Sequence, residues 1–355
     1  MKIAVIGTGN VGVAFAADLS IKGHEVTLLK TSSYKSDAFD RLIKNGKRVF
    51  LKEKSTYIET AIKEVSKDLS KVAEAEVIFC TIQSNFYEGL VERIHQYLHN
   101  DQIVVCISSY ASSFYFEKHC RKLPMLVEAT GPYLEGRVEL NDKPNEVVFR
   151  VGYRHKVIPV ACFSNHDTCM EKLHKISKGF IGKYYVLESA LLNPNMVLHT
   201  VGSIMSIPRI EYSKGNFCMY REAYARGNDS TINLLMRLDE EKMKVLKNLG
   251  FFKTSVFETG GFNMSAPIES LHRYSESSDR AISPTSVHSR YITEDVSEGL
   301  VLMESIAHHI GLELPVTSSL ITLASVALGI DFRKTGRTIQ RLGIINEIDI
   351  LHECR

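Results

Sequence analysis

The opening segment, Lys2-Ile-Ala-Val-Ile-Gly7-Thr-Gly9-Asn-Val-Gly12, restricts the fold of this chain more than any other stretch. Ile3 to Ile6 is an unbroken apolar run, the pattern of a strand buried on both faces in a parallel sheet. Gly7, Gly9 and Gly12 follow at G-x-G-x-x-G spacing, where that strand must turn into a helix. The first glycine permits the tight turn, the second lets backbone approach a pyrophosphate, and the third lets helix and strand pack closely. The helix, with Val13, Phe15, Ala16 and Leu19 apolar, points its N–H groups and dipole at the phosphate. Gly23 stops it, and Val26 to Leu29 supplies a second strand. An ordinary nucleotide-free turn accounts for glycines, but not for this whole strand–turn–helix–Gly–strand context. The expected cofactor contacts are Gly7, Gly9, Asn10, Val11 and Gly12.

The loop after the second strand is Lys30-Thr31-Ser32-Ser33-Tyr34-Lys35. NAD-binding folds usually place a carboxylate here to grip the ribose 2′-OH. This loop offers lysines and hydroxyls instead, a setting that welcomes a 2′-phosphate. NADPH is therefore the expected cofactor, with NAD as the alternative, and Lys30, Thr31, Ser32 and Ser33 as its contacts.

Downstream, Ser36 to Asn45 reads as a helix and Lys47 to Leu51 as a short strand. Asp68 to Ala73 reads as a helical turn, Val77 to Thr81 as a strand, Phe86 to Leu98 as a helix and Ile103 to Ile107 as a strand. Met125 to Ala129 is a further strand. Glu146 to Gly152 and Val157 to Phe163 read as a pair of strands, with Asn165 or Asp167 capping a helix to Lys178. Lys183 to Leu187 reads as the last strand. Alternating strands and helices with short loops predict an α/β, doubly wound (Rossmann) parallel sheet. Loops around Gln83-Ser84-Asn85 and Ser108 to Ser113 should face the ligand. Beyond residue 187 strand patterns almost vanish. The expected domains are 1–187, binding the dinucleotide, and 188–355, all-helical and carrying substrate and catalytic groups.

With 355 residues, both halves can bury a real core. A net charge of +2 gives no nucleic-acid or membrane footprint. Seven cysteines without a C-x-x-C pair argue for reduced thiols in a cytosol and against a disulfide framework or a zinc site. The strand at residue 2 leaves no room for a signal peptide, and no apolar run approaches transmembrane length. A cytoplasmic enzyme is the expectation.

Chemistry in the second half concentrates in two stretches. In Asn193-Pro-Asn195-Met-Val-Leu-His199-Thr-Val-Gly202, a helix beginning after Pro194 places Asn195 and His199 on one face. Gly202 would let a ring approach closely. A satisfied helix histidine with Asn195 as a cap is the alternative. In Arg290-Tyr-Ile-Thr-Glu-Asp295-Val-Ser-Glu298-Gly, Asp295-x-x-Glu298 has capping-box spacing, which would make Asp295 a helix N-cap. Arg290 has no local explanation beyond a surface ion pair.

Taken together, these pieces resemble the opine dehydrogenase family, which includes the octopine/nopaline dehydrogenases and the N-(carboxyethyl)amino acid dehydrogenases. The resemblance runs through the N-terminal dinucleotide fold, Glu128 with Pro132-Tyr133 and Arg137, the N-x-x-x-H of Asn195 and His199, and R-Y-x-x-E-D from Arg290 to Asp295. It continues in Asp331-Phe-Arg, Gly336-Arg-Thr338 and Leu342-Gly343. Ser108-Ser109 stands where relatives tend to have Pro-Gly. The resemblance implies NAD(P)H-dependent reductive condensation of an α-keto acid with the amino group of an amino acid. It further implies His199 and Asp295 as the catalytic pair, and Arg290, Asn195 and Glu128 as substrate-binding residues. The small-molecule partners would be an amino acid and an α-keto acid, and the assembly is open to a homodimer.

The chemistry fits these residue types. A histidine can move the protons of amine attack and water loss, and Asp295 would fix its tautomer. Arg290 could hold a carboxylate bidentately. Two other readings share the glycines. A ketopantoate-reductase or β-hydroxyacid type dehydrogenase would use a helical lysine, which Asn195 to His199 does not offer. A non-catalytic NADPH-sensing module would have no reason to carry a His–Asp pair.

Overall fold

A computed structural model describes residues 1–33, 36–140, 146–182, 185–277 and 283–353. The chain divides into two compact units, Met1–Ser189 and Ala190–Arg355.

The first unit is built on an eight-stranded sheet, ordered β12-β11-β8-β7-β6-β1-β2-β5. Its strands are β1 (Lys2–Ile6), β2 (Glu25–Leu29), β5 (Glu64–Ser66), β6 (Val77–Cys80), β7 (Ile103–Ile107), β8 (Met125–Ala129), β11 (Ile158–Cys162) and β12 (Phe180–Gly182). All neighbours run parallel except β11 against β8. β1 is buried from Ile3 to Ile6, β6 and β7 throughout, as the continuous apolar runs require. Around the sheet stand α1 (Asn10–Ile21), α2 (Asp37–Lys44), α3 (Tyr87–Ile94), α4 (Ser113–His119) and α5 (His166–Ile176). Ser36 starts α2 by accepting the Phe39 N–H.

A second sheet, ordered β4-β3-β10-β9, joins β3 (Arg48–Glu53), β4 (Thr56–Ala61), β9 (Leu134–Glu139) and β10 (Val148–Arg154). It packs on α1, which is why that helix is buried along nearly its whole length. Tyr133 stacks on Phe15 with ring centroids 4.2 Å apart, and Arg154 donates to Asp18 of α1 at 2.9 Å and Glu53 of β3 at 3.1 Å.

Several sequence expectations need correction here. The two segments expected as a strand pair, β10 and β11, lie in different sheets. The expected strand from Lys183 to Leu187 is displaced: β12 ends at Gly182, and Val186 already opens helix α6 (Val186–Leu191). Lys183 and Tyr184 lie outside the described residues. The expected long helix from Phe86 to Leu98 is regular only over α3, with 3-10 turns at Ser84–Phe86 and His95–Tyr97. Asn165 does precede α5, but in a left-handed conformation with no side-chain cap.

The second unit is helical among the described residues. At its heart is α7 (Asn195–Met205), buried from Met196 to Ile204. The 20-residue helix Asp229–Asn248 and the helix Pro315–Leu328 pack against it. Glu241 joins these two, accepting the N–H groups of Val316 and Thr317 at 2.8 Å each. Among the described residues no single helix is long and apolar enough to cross a membrane.

Candidate active site

In the first unit the glycine turn has the geometry that each glycine demands. Gly7 sits at φ 118° and donates its N–H to Leu29. A Cβ at Gly12 would stand 1.8 Å from the Gly7 carbonyl oxygen, so only glycine fits. Gly9 differs: its φ is −80°, and nothing lies within 4 Å of an added Cβ. Its reason is therefore not internal packing but the open face it presents. No side chain caps α1 at Gly9, which leaves its first N–H groups to an anion. This is a fit to a dinucleotide pyrophosphate. Asn10 contributes through its position at the helix start, because its side-chain oxygen accepts the Val138 N–H at 2.8 Å. Val11 packs against the core beside it.

The loop after β2 gathers more positive charge than its sequence shows. Lys30 is 4% exposed and donates to the Ser32 carbonyl at 2.6 Å. Arg93, at the end of α3, donates to the Thr31 carbonyl at 2.9 Å. Lys30 and Lys67 both approach the Phe39 ring, at 5.8 and 5.7 Å from its centroid. Ser32 and Ser33 are exposed, and Lys35 lies outside the described residues. Arg93 and Lys67 carry no local sequence signal; only the fold brings them here.

The turn after β7 is strained. Ser108, Tyr110 and Ala111 have φ of 48°, 51° and 63°, a conformation costly for residues other than glycine. The carboxylate of Glu128, buried on β8, holds it. It accepts from Ser109 Oγ at 2.5 Å, Ser113 N–H at 2.9 Å and Ser113 Oγ at 2.8 Å. The structure thus commits Glu128, expected as a substrate contact, to shaping this turn at the carboxyl end of the sheet.

In the second unit, His199 and Asp295 come together. Asp295 Oδ2 lies 2.8 Å from His199 Nδ1, with the side chains 6% and 1% exposed. A carboxylate on Nδ1 assigns the ring proton to that nitrogen and leaves the lone pair on Nε2. The ring of Tyr291 stacks on the imidazole, centroids 3.7 Å apart and planes within 6°. Tyr291 and Asp295 are four residues apart in one helical stretch, so both reach the same imidazole. Tyr220 meets it edge-on at 6.4 Å. Neither tyrosine was singled out by sequence, although Tyr291 stands inside the R-Y-x-x-E-D motif. Gly202 does admit a ring: the Tyr224 hydroxyl donates to Leu198 O at 2.5 Å and would stand 3.0 Å from a Cβ at Gly202.

Asn195 occupies the first position of α7 and donates its N–H to Asn193 Oδ1 at 3.1 Å, so Asn195 is not the cap. Arg290 Nη1 donates to Glu294 at 3.3 Å, and its guanidinium lies 5.6 Å from the Tyr291 ring centroid. The Arg290 side chain remains 45% exposed. The capping-box expectation for Asp295 and Glu298 is overturned. The chain turns helical at Arg290, and Asp295–Leu300 is a π-helical turn inside that helical stretch, with neither carboxylate serving as a cap. Glu298 instead pairs with the buried Arg337. Spacing alone mimicked a cap because tertiary partners, not helix N–H groups, take both carboxylates.

Comparison with known proteins gives matches over both units. The family described as NAD/NADP octopine/nopaline dehydrogenase, alpha-helical domain, matches residues 184–328. The N-terminal domain of NAD-dependent glycerol-3-phosphate dehydrogenase matches residues 2–109. An opine dehydrogenase of Arthrobacter sp. (strain 1C) is 24% identical over 353 residues, covering 96% of this chain and 94% of the relative. A vitopine synthase of Allorhizobium ampelinum is 23% identical, covering 97% and 95%. A solved structure of octopine dehydrogenase with NADH and L-arginine superposes with a TM-score of 0.77 at 16% identity, covering 99% of this chain and 98% of that one. Relatives matched over nearly their whole length, a matching helical domain and a shared fold together make this chain similar to the opine dehydrogenases.

Proposed function

We propose that this chain catalyses the NAD(P)H-dependent reductive condensation of an α-keto acid with the amino group of an amino acid. The balanced reaction consumes one keto acid, one amine, one NAD(P)H and one proton. It yields a secondary amine, NAD(P)+ and water. The observation that carries the reading is the buried His199–Asp295 pair in a domain matched by the octopine/nopaline dehydrogenase family.

The amino group must be neutral to attack, and His199 Nε2, basic because Asp295 holds the Nδ1 proton, takes the excess proton. The same nitrogen, now protonated, returns it to the carbinolamine hydroxyl, which leaves as water and gives the imine. Asp295 stabilises the imidazolium between these steps, and Tyr291 keeps the ring in plane and adds face-on contact to the cation. NAD(P)H supplies the hydride that reduces the imine carbon. Arg290, half-exposed, offers a guanidinium to a substrate carboxylate, and Asn195 an amide on the His199 face of α7. Glu128 acts through the Ser109–Ser113 turn that it holds. Lys30, Thr31, Ser32 and Ser33 receive the 2′-phosphate of NADPH, which we take as the preferred cofactor. We place the protein in the cytoplasm, where its scattered thiols stay reduced.

The test is loss of dihydronicotinamide absorbance with pools of keto acids, of amino acids, or of both. Oxidation requiring both pools supports the proposal. Oxidation with keto acid alone identifies an alcohol-forming dehydrogenase of the ketopantoate-reductase kind instead.

A further inference from the structure

The π-turn Asp295–Leu300 is clamped from outside by a segment the reaction scheme does not use. A π-turn carries one residue more than an α-turn and breaks the regular i→i−4 ladder; such turns recur at functional sites. Here the carbonyl of Ser297, inside the turn, accepts the Arg337 N–H at 2.9 Å. The approach is possible only because residue 336 is glycine: a Cβ there would lie 2.5 Å from Ser297 O and 2.5 Å from Phe332 O. Gly336 has a φ of −81°, so the requirement is space and not conformation. The Arg337 side chain, 1% exposed, then meets Glu298 with Nη2 2.7 Å from Oε2. The other Glu298 oxygen accepts from Ser297 Oγ at 2.7 Å.

We infer that Gly336 and Arg337 are positioning residues for the proton-transfer pair. By clamping Ser297 and Glu298 they hold the π-turn in the register that points Asp295 at His199. The inference rests on the reading of His199 and Asp295 proposed above. Relaxing the turn to α-helical form would remove the extra residue and rotate the turn by about 100° per residue. Asp295 and the downstream helix, Val301–His309, could then no longer both keep their contacts. A buried arginine–carboxylate pair is poor evidence of stability in itself, and its better attested use is to fix one arrangement against others. Here that arrangement is the Asp295 carboxylate on Nδ1.

The test is a double-mutant cycle on the full chain. Gly336→Ala and, as a milder change, Arg337→Lys are each made in the wild type and in Asp295→Asn. Melting temperature and NADPH affinity serve as checks on folding. In the wild type, kcat should fall about tenfold to a hundredfold, the usual cost of displacing a catalytic group by an ångström or so. The pH profile of kcat should shift, and the low-field resonance of the Nδ1 proton should weaken. In Asp295→Asn the same changes should cost almost nothing further, since the residue they act through is already lost. Equal losses in both backgrounds, or wild-type kcat and pH profile in both variants, would overturn the inference. If Gly336→Ala does not fold, Arg337→Lys decides by the same readouts. An Asp295→Asn enzyme with full activity would instead remove the reading beneath it, and the inference with it.

Discussion

His199 Nδ1 and Asp295 Oδ2 meet at 2.8 Å although 96 positions separate them in the chain, and both side chains are nearly sealed from solvent. A histidine so held keeps one tautomer and one orientation. His199→Ala should lower kcat by about 10²–10⁴, the usual worth of general acid–base catalysis, with NADPH affinity unchanged. Asp295→Asn should lower kcat by a comparable factor, since a neutral amide neither fixes the Nδ1–H tautomer nor supplies the charge that stabilises the imidazolium. Asp295 caps no helix, so a lost helix cap does not account for that fall. Steady-state kinetics with calorimetry on both variants checks this. Wild-type kcat in Asp295→Asn would make the contact merely structural.

Gly12 and Gly9 of the turn predict opposite outcomes. Gly12→Ala drives a Cβ to 1.8 Å from Gly7 O, so the variant should lose several degrees in Tm or fail to fold. Gly9→Ala meets nothing within 4 Å and needs no unusual φ, so its Tm should be unchanged. Its methyl would stand where the pyrophosphate approaches, and the Kd for NAD(P)H should rise at least about tenfold. Fluorescence titration together with thermal melts distinguishes the two, and tight cofactor binding by Gly9→Ala would contradict the placement.

The glycine turn, the parallel sheet and the all-helical second half were legible because buried strands and helices leave continuous or periodic apolar patterns. The second sheet was less so. Thr56 to Ala61 is exposed on both faces and shows no apolar alternation, and β9 contains Gly136, required because a Cβ would lie 2.0 Å from Arg150 O. The His199–Asp295 contact left no local trace, and only family resemblance joined the two motifs. Asp295-x-x-Glu298 looked like a cap because i, i+3 carboxylates are ambiguous until their partners are known. Arg93, Lys67 and Tyr220 were invisible for a related reason: each acts on a segment distant in sequence.

The cationic loop after β2 predicts the cofactor choice. Lys30 and Arg93 both hold the backbone of residues 31–32, and no carboxylate follows β2 to grip a 2′-OH. NADPH should be preferred over NADH by about tenfold to a hundredfold in KM, the equivalent of one charge-assisted phosphate contact. Thr31→Asp should erode or reverse the preference, and Arg93→Ala should weaken NADPH more than NADH. Equal kcat/KM for the two cofactors in the unmodified enzyme would contradict this.

Glu304 gives a stability prediction with a definite sign. Burial pushes its carboxyl up, but Arg333 at 2.7 and 2.8 Å and Ser318 Oγ at 2.6 Å outweigh that and hold it below its ordinary value of 4.5. A folded-state value below the unfolded one means stability fully present above about pH 4.5 and lost as pH falls through the folded value. Glu304→Gln should cost about 1–3 kcal/mol at neutral pH, discounted for the partial exposure of Arg333. Its Tm should also fall less steeply with acidification than that of the wild type. Parallel Tm–pH curves for the two proteins would rule out the pair as a source of acid sensitivity.

In the proposed reaction the hydride ends on a carbon bonded to nitrogen. The most direct measurement is mass spectrometry of the product formed from NADPH deuterated at C4, with an α-keto acid and an amino acid both present. The expected product is a secondary amine joining the two substrates, with deuterium on the former keto carbon and one water lost. A deuterated hydroxy acid, with the amino acid left unconsumed, would contradict it.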